Sequence, residues 1–331
     1  DWTIKRLEKE IDETNLSDQY EKNIEDVNRN NAKIVTSHKY LDTNVLNGGI
    51  GKREITEICG LSGSGKTPFV MQLALNCAMI PSQLGGLSTY PNTKAVIIDT
   101  TQRIKMSRLY EISEHLWKNL NEMMKRRKAL LSHPSSTAST SLSSSNLNET
   151  GSGVLKKDYL DRIYLFKIYS QEQFLAMFFE NILYEFMKKP ENKFVKLIII
   201  DDFTYYLKHI DKVHGSKIAY SSNTVLQIGQ ILQTIADEFD CAVVVVNTLT
   251  TKFYSAVGNA SGDAWDFTTG NVLITPSLGN VWSHFITNRL LFYISDNKKI
   301  IRVAKSPFIP VGTTCEFFIG KQGFSHIPMQ T

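Results

Sequence analysis

Short apolar runs alternate along this chain with longer segments in which apolar residues recur at helical spacing. Each run holds about three to five apolar residues and is bounded by polar ones, which is typical of a strand buried on both faces of a sheet. We predict strands at 54–59, 94–99, 162–166, 196–202 and 242–247. The helical segments between them include one from about 105 to 131, one that ends near Pro190, and one at 223–239.

This order of elements predicts an α/β fold. Strands that alternate with helices form a mostly parallel, twisted sheet with helices on both faces. A glycine- and serine-rich stretch at 252–280 interrupts the alternation. Three later runs, at 290–294, 300–304 and 315–319, predict antiparallel strands that finish the sheet as a C-terminal extension.

Two segments do not follow this pattern. Residues 1–32 are polar and charged, with apolar residues such as Ile4, Leu7 and Ile11 at helical spacing, so we expect a helical leader or linker before a core at 33–331. Residues 132–153 consist mainly of Ser, Thr, Asn and Gly. Because such a composition cannot bury enough apolar surface to order itself, we expect a disordered insertion there.

Composition narrows the class of protein. The chain has 331 residues with 42% hydrophobic residues, enough for one large domain, and no apolar run reaches membrane-spanning length. No signal peptide opens it, and its four cysteines are scattered without a C-x-x-C pair, so we expect an intracellular protein with reduced thiols and no membrane partner. The net charge of +4 permits contact with nucleic acid but does not argue for it.

Residues Gly60–Thr67 form a motif that indicates nucleotide binding. They read GLSGSGKT and fit the phosphate-binding pattern G-x-x-x-x-G-K-[ST] between a predicted strand and a predicted helix. In this pattern the backbone N–H groups point at a nucleotide triphosphate, the lysine reaches its β- and γ-phosphates, and the threonine hydroxyl ligates Mg²⁺. We therefore expect ATP and Mg²⁺ as cofactors, bound by Gly60, Gly63, Ser64, Gly65, Lys66 and Thr67.

A second motif lies downstream of this loop. Residues 196–202 read KLIIIDD, an apolar run that ends in two acids. The run resembles the Walker B strand, whose terminal carboxylate holds Mg²⁺ through water. We choose Asp201 as that carboxylate, with Asp202 as the alternative.

Seven further blocks accompany the two motifs, at residues 40–42, 48–50, 55–60, 236–239, 247–252, 278–282 and 305–307. Their order resembles the ATPase core of the RecA/RadA-type recombinases from about residue 34 to 327. Among them the chain is most similar to the C-type paralogues of the eukaryotic strand-exchange recombinase and their fungal counterparts. The resemblance implies a RecA-like ATPase core and a nuclear subunit that pairs with related paralogues. It also implies that the subunit assists the recombinase in homologous-recombination repair and reaches DNA through the complex.

The resemblance also implies roles for individual residues. Arg108 matches the arginine that stacks on adenine, and Lys305 and Pro307 match a short cap that contacts the nucleotide of a neighbouring subunit. Two DNA loops fall at 208–217 and 252–271, with candidate contacts at Lys212, Lys217, Lys252 and Tyr254. Cationic side chains can neutralise phosphates and aromatic rings can stack on bases, but a solvated basic loop explains the first segment equally well.

The chain departs from the family at positions that matter for hydrolysis. Thr101 stands where the family has a catalytic Glu, and Thr248 stands where it has a Gln that senses the γ-phosphate. Because a neutral hydroxyl is a poor general base, we expect ATP binding with weak or absent hydrolysis. No Phe precedes Phe69 in this sequence, so we do not expect self-polymerisation through the Phe-x-x-Ala tether of the polymerising recombinases.

Three functions remain open. The preferred one is an ATP-binding mediator subunit in homologous-recombination repair. The alternative is an active DNA-dependent ATPase that exchanges strands itself. A small-molecule kinase with the same phosphate loop is the least favoured, because the region after Asp201 shows no arginine-rich lid.

Overall fold

This computed structural model describes residues 33–81, 84, 86, 87, 93–131, 156–207, 219–253 and 272–325. The predicted helical leader at 1–32 and the predicted insertion at 132–153 lie outside the described residues, and both stay predictions.

The strands fall close to the predicted runs. Each predicted parallel strand is present, with bounds that shift by no more than one or two residues. The described strands are β1 Ile55–Gly60, β2 Lys94–Asp99, β3 Ile163–Lys167, β4 Val195–Asp201, β5 Ala242–Asn247, β6 Leu249–Phe253, β7 Val272–Pro276, β8 Asn288–Ser295, β9 Lys298–Lys305, β10 Thr314–Gly320 and β11 Gly323–Ser325.

The helices connect these strands. The α-helices in the described residues are α1 Lys66–Met79, α2 Met106–Leu131, α3 Gln171–Phe179, α4 Ile182–Lys188, α5 Thr204–Leu207, α6 Ala219–Glu238 and α7 Gly279–Ser283. One π-helical turn spans Leu41–Val45, and 3₁₀ turns span Lys156–Arg162 and Pro190–Asn192.

Nine of the described strands form one sheet in the order β11-β10-β9-β8-β1-β5-β4-β2-β3. The strands from β8 to β3 run parallel to one another, which confirms the predicted mostly parallel sheet. β9, β10 and β11 continue it with antiparallel pairing, as the predicted C-terminal extension requires. The prediction for 290–294 was wrong in one respect: this run lies in β8, which pairs parallel with β1 and antiparallel only with β9.

Apolar side chains cover both faces of the sheet. Successive strand residues point to opposite faces, so Ile199 joins a core with α1 and α2, while its neighbours Ile198 and Ile200 join a second core with α3, α4 and α6. All three are fully buried. Burial on both faces explains why the strands read as continuous apolar runs without polar alternation.

The helix predicted to end near Pro190 is in fact two helices. The break falls at Asn181, which adopts a left-handed conformation with φ 56° between α3 and α4. Asparagine tolerates this conformation better than most residues. The break lets Phe174 and Phe178 of α3 and Leu183 of α4 reach the same core.

The parallel strands place their carboxyl ends at one edge of the sheet. β1 ends at Gly60, β2 at Asp99, β4 at Asp201 and β5 at Asn247. Ligands of parallel α/β sheets bind at this edge, and the fold brings the phosphate loop and Asp201 together there. None of the described helices is long and apolar enough to cross a membrane.

Candidate nucleotide-binding site

The phosphate loop joins β1 to α1. Gly63 and Gly65 both have positive φ, 80° and 106°, which residues with a side chain rarely adopt. A Cβ on Gly65 would also lie 2.6 Å from Cδ1 of Ile319. The positive φ favours glycine at this position, and the loop backbone packs closely against Ile319 of β10.

Lys66 is the first residue of α1, and its ammonium group lies over the loop. Its Nζ donates to the carbonyl oxygens of Gly60 and Leu61, at 2.6 and 2.8 Å. Burial lowers the pKa of Lys66, and the carboxylates of Asp202 and Asp201 oppose that shift. The charge of Lys66 is thus held between the loop and two acids, where the phosphates of a nucleotide are expected.

Thr67 and Asp201 meet across the site. The Thr67 hydroxyl donates to Oδ2 of Asp201 at 2.7 Å. Asp201 lies at the end of β4 and is 3% exposed. Burial raises the pKa of its carboxyl to about 6, and the hydrogen bond from Thr67 partly offsets the shift.

Asp202 is oriented differently from Asp201. Its Oδ1 accepts hydrogen bonds from the backbone N–H and the hydroxyl of Thr204, at 2.9 and 2.6 Å. This carboxylate is therefore committed to the start of α5. The geometry favours Asp201, the first choice from sequence, as the carboxylate on the metal side.

The oxygen atoms at this point suit Mg²⁺. Thr67 and Asp201 present a hydroxyl and a carboxylate side by side, and the buried Oγ of Ser64 has no hydrogen-bond partner among the described residues. The described part of the chain holds no group of three or more His, Cys, Asp or Glu that could form a complete metal cage. Mg²⁺ at phosphate sites typically takes only one or two carboxylates together with phosphate and water oxygens, so these residues fit it.

Thr101 lies in the loop after β2, on the same edge of the sheet. Its hydroxyl lies 3.4 Å from Oδ1 of Asp99, and its backbone N–H donates to the same oxygen at 3.1 Å. Both oxygens of Asp99 are occupied, because Gln102 and Ile104 also donate their N–H groups to them. Neither Thr101 nor Asp99 is therefore placed to act as a free general base.

Thr248 follows β5 at the same edge. Its hydroxyl lies 3.0 Å from that of Thr204 and 3.1 Å from that of Ser277. Ser277 also donates to the Thr248 carbonyl at 2.7 Å. A row of hydroxyls thus runs from Asp202, through Thr204 and Thr248, to the residue that follows β7.

Arg108 lies near the start of α2. Its guanidinium donates to the carbonyl oxygens of Gly320 and Lys321, at 2.5 and 3.0 Å, and pairs with Glu111. These bonds fix the plane of the guanidinium beside the β10–β11 turn. Its stacking on adenine stays a prediction.

The predicted cap lies at the end of β9. The ammonium group of Lys305 donates to the carbonyl of Ser283 at 2.8 Å, while Pro307 is exposed. The next residue, Phe308, is 55% exposed. The contact of this cap with a neighbouring subunit stays a prediction.

Comparison with known families agrees with the geometry of this edge of the sheet. A family model described as Rad51 matches residues 28–132 and 150–327, which together make up most of the chain. The chain belongs to the Rad51 family. The predicted resemblance to RecA/RadA-type recombinases and the predicted RecA-like fold are thereby confirmed.

Individual Rad51-family proteins agree with the more specific resemblance. The chain is 29% identical over 303 residues to DNA repair protein RAD51 homolog 3 of Dictyostelium discoideum. The aligned region covers 90% of this chain and 68% of that protein. It is 29% identical over 315 residues to DNA repair protein rhp57 of Schizosaccharomyces pombe, covering 85% and 78% respectively. It is 26% identical over 289 residues to DNA repair and recombination protein RadA of Methanococcus maripaludis, covering 84% and 71%.

The DNA contacts expected of a Rad51-family chain fall mostly outside the described residues. Lys212, Lys217 and Tyr254 lie there, and their roles stay predictions. The backbone of Lys252 is described: it belongs to β6 and pairs in register with Leu273 of β7. The start of the glycine- and serine-rich stretch is therefore part of a β-hairpin, which sequence reasoning did not predict.

Sequence reasoning also missed a buried polar group behind the phosphate loop. The Glu57 carboxylate accepts hydrogen bonds from Asn247 at 2.6 Å and Trp282 at 2.9 Å, and it pairs with Arg289. All four residues are buried. The one sequence signal for this group is a charged residue within a predicted buried strand, since a buried carboxylate requires hydrogen-bonding or ionic partners. Glu57 thereby ties β1 to β5, α7 and β8.

A second missed contact holds the loop from outside. The Lys299 ammonium donates to the carbonyl of Gly63 at 2.9 Å. Lys299 lies in β9, 236 residues from Gly63, so nothing in the local sequence connects them. The C-terminal extension thus supports the phosphate loop directly.

Proposed function

We propose that this chain is an ATP-binding mediator subunit that assists a strand-exchange recombinase in DNA repair by homologous recombination. Membership of the Rad51 family and similarity to proteins named for DNA repair support this role. The observation that carries the ATP-binding part is the contact of Thr67 with Asp201, which joins the phosphate loop to the Walker B strand at 2.7 Å. This contact places the phosphate loop beside the carboxylate proposed for the metal side.

Each residue of the site has a defined task in this proposal. The loop N–H groups and the ammonium of Lys66 bind the phosphates, and Thr67 and Asp201 hold Mg²⁺, Asp201 through water. The metal neutralises phosphate charge. Arg108 contacts the adenine.

The chain turns over ATP slowly in this proposal. Thr101 offers a neutral hydroxyl where a carboxylate would orient the attacking water. Asp99 does not replace it, because its oxygens accept three backbone N–H groups. Thr248, which bonds to Thr204 and Ser277, cannot provide the amide of a Gln.

The chain works within a hetero-oligomer of related paralogues in the nucleus. Family members place ATP between neighbouring subunits, and this chain carries both a phosphate loop and a cap with Lys305 and Pro307. DNA is reached mainly through the complex, with Lys212, Lys217, Lys252 and Tyr254 as candidate contacts of this subunit.

The alternative is an active DNA-dependent ATPase that exchanges strands. Both functions require ATP binding, and they differ in turnover and in self-assembly on DNA. The small-molecule kinase finds no support among the relatives named above.

Calorimetry of ATP binding in the presence of Mg²⁺ tests the proposal. Lys66→Ala removes a charge-assisted contact to phosphate, worth about 1.5–3 kcal/mol, so we expect an affinity loss of about 10- to 150-fold. Lys298→Ala is the matched control, because Lys298 is an exposed lysine whose partner is Glu316 on the surface, at 3.0 Å. Equal affinity in the wild type and Lys66→Ala would refute ATP binding at this loop.

A further inference from the structure

The loop that follows β2 starts inside the nucleotide site. Asp99, the last residue of β2, is the register partner of Asp201 in β4. The next residue, Thr100, donates its N–H to the Asp201 carbonyl at 2.9 Å and its hydroxyl to the Asp202 carbonyl at 2.7 Å. Residues 101–104 therefore leave the sheet directly beside the carboxylate expected to hold Mg²⁺.

The Asp99 carboxylate holds this loop in one shape. Oδ1 accepts the N–H groups of Thr101 and Gln102, at 3.1 and 2.7 Å, and Oδ2 accepts that of Ile104 at 3.0 Å. Ile104 is fully buried, and the Gln102 amide bonds to the carbonyl of Ile168. The residues on either side of Arg103 are thus fixed by hydrogen bonds and packing.

Arg103 is an exposed side chain at the centre of this fixed loop. It makes no hydrogen bond or ion pair with any other described residue. The backbone that carries it is held beside Asp201, because Asp99 is the register partner of Asp201 and its carboxylate binds the N–H groups on both sides of Arg103. Arg103 is also one of the charges that act on Lys66. A guanidinium group is therefore mounted on a fixed loop next to the residues expected to bind the phosphates and the metal.

We propose that Arg103 binds the γ-phosphate of the nucleotide held by the same chain. The inference rests on the proposed ATP-binding function and adds a residue that lies outside the phosphate-loop and Walker B motifs. Arginine suits the task, since its planar guanidinium pairs with two phosphate oxygens and stays charged at every relevant pH.

Thr101 makes this role possible. A Glu at position 101, two residues from Arg103, would present a carboxylate that competes with phosphate for the guanidinium. A threonine hydroxyl is neutral and does not compete. The substitution that removes the general base therefore also frees a cation for the phosphate, and the site favours holding ATP over hydrolysing it.

Selectivity between ATP and ADP tests this role. Arg103→Ala should weaken ATP binding about tenfold, near the lower limit for a hydrogen bond to a charged group, and change ADP binding less than about twofold. Arg103→Lys keeps the charge without the planar donors, so its ATP affinity should lie between those of the wild type and Arg103→Ala. Lys105→Ala is the control, because Lys105 is an exposed cation two residues further along and should change neither affinity.

Calorimetry with Mg²⁺ and each nucleotide, on the full chain at about 0.15 M salt, separates the outcomes. A selective loss of ATP affinity in Arg103→Ala supports the proposal. Unchanged affinities, an equal loss for ATP and ADP, or the same loss in Lys105→Ala would each overturn it while leaving the ATP-binding function standing. Failure of the wild type to bind ATP would instead refute the ATP-binding function, and this inference with it.

Discussion

Replacing Asp201 with Asn should stabilise the protein in the absence of ligands. Burial raises the pKa of this carboxyl from 3.8 to about 6, so the folded state resists its ionisation. Ionising this buried carboxyl lowers the free energy of unfolding. This loss is absent below pH 3.8, where the carboxyl is protonated in both the folded and the unfolded state, and it reaches its full size above pH 6. A shift of about two pKa units corresponds to about 3 kcal/mol of unfolding free energy.

Asp201→Asn removes the charge and keeps the shape. The amide oxygen can still accept the Thr67 hydroxyl, which now donates to Oδ2 at 2.7 Å. We therefore expect Asp201→Asn to raise the free energy of unfolding by up to about 3 kcal/mol at pH 8, and by little at pH 4. The same change should weaken ATP binding in Mg²⁺, because a neutral amide is a poorer partner for the hydrated metal.

Asp99→Asn provides the contrasting variant. The Asp99 oxygens accept three backbone N–H groups, and an amide nitrogen cannot accept. This change should therefore lower the free energy of unfolding at pH 8, by about 1–3 kcal/mol.

Urea unfolding in EDTA without nucleotide, at pH 4, 6 and 8, measures these effects through the tryptophan fluorescence. The reasoning is refuted if Asp201→Asn is less stable than the wild type at pH 8. It is also refuted if Asp201→Asn raises the free energy of unfolding by the same amount at pH 4 as at pH 8.

Three further predictions follow from the same contacts. Thr101→Glu restores a carboxylate at the hydrolytic position and should raise the slow ATPase rate in a steady-state assay; an unchanged rate would mean that the position does not limit turnover. Arg289→Ala leaves Glu57 buried without its cation and should cost about 3–5 kcal/mol in urea unfolding, part of which Glu57→Gln should restore. Lys305→Ala should weaken the complex with paralogues in a pull-down while the chain's own ATP affinity, by calorimetry, stays as in the wild type.

The phosphate loop and the parallel strands could be predicted because their signals are local. Gly60–Thr67 is defined by the spacing of eight residues, and 196–202 by an apolar run that ends in acids. From sequence we chose Asp201 and kept Asp202 as the alternative, because the choice depends on which carboxylate faces Thr67. That choice depends on the path of the chain after β4, where Asp202 turns to bond with Thr204.

Contacts between distant residues could not be predicted from the pattern. Lys299 reaches Gly63 only because the C-terminal extension folds back beside β8. The parallel pairing of β8 with β1 was missed for the same reason, since an apolar run does not determine which strand it will pair with. The left-handed Asn181, which divides α3 from α4, was missed because helical periodicity continues on both sides of it.

The most direct test of the central claim is to purify the tagged full chain from its own cells after nuclease treatment and to identify its partners by mass. The account predicts that at least one other Rad51-family protein is recovered in a defined ratio to this chain and survives the removal of DNA. Recovery of the chain without any other family member, as homopolymers that form long filaments on added DNA, would contradict it and identify a recombinase acting on its own.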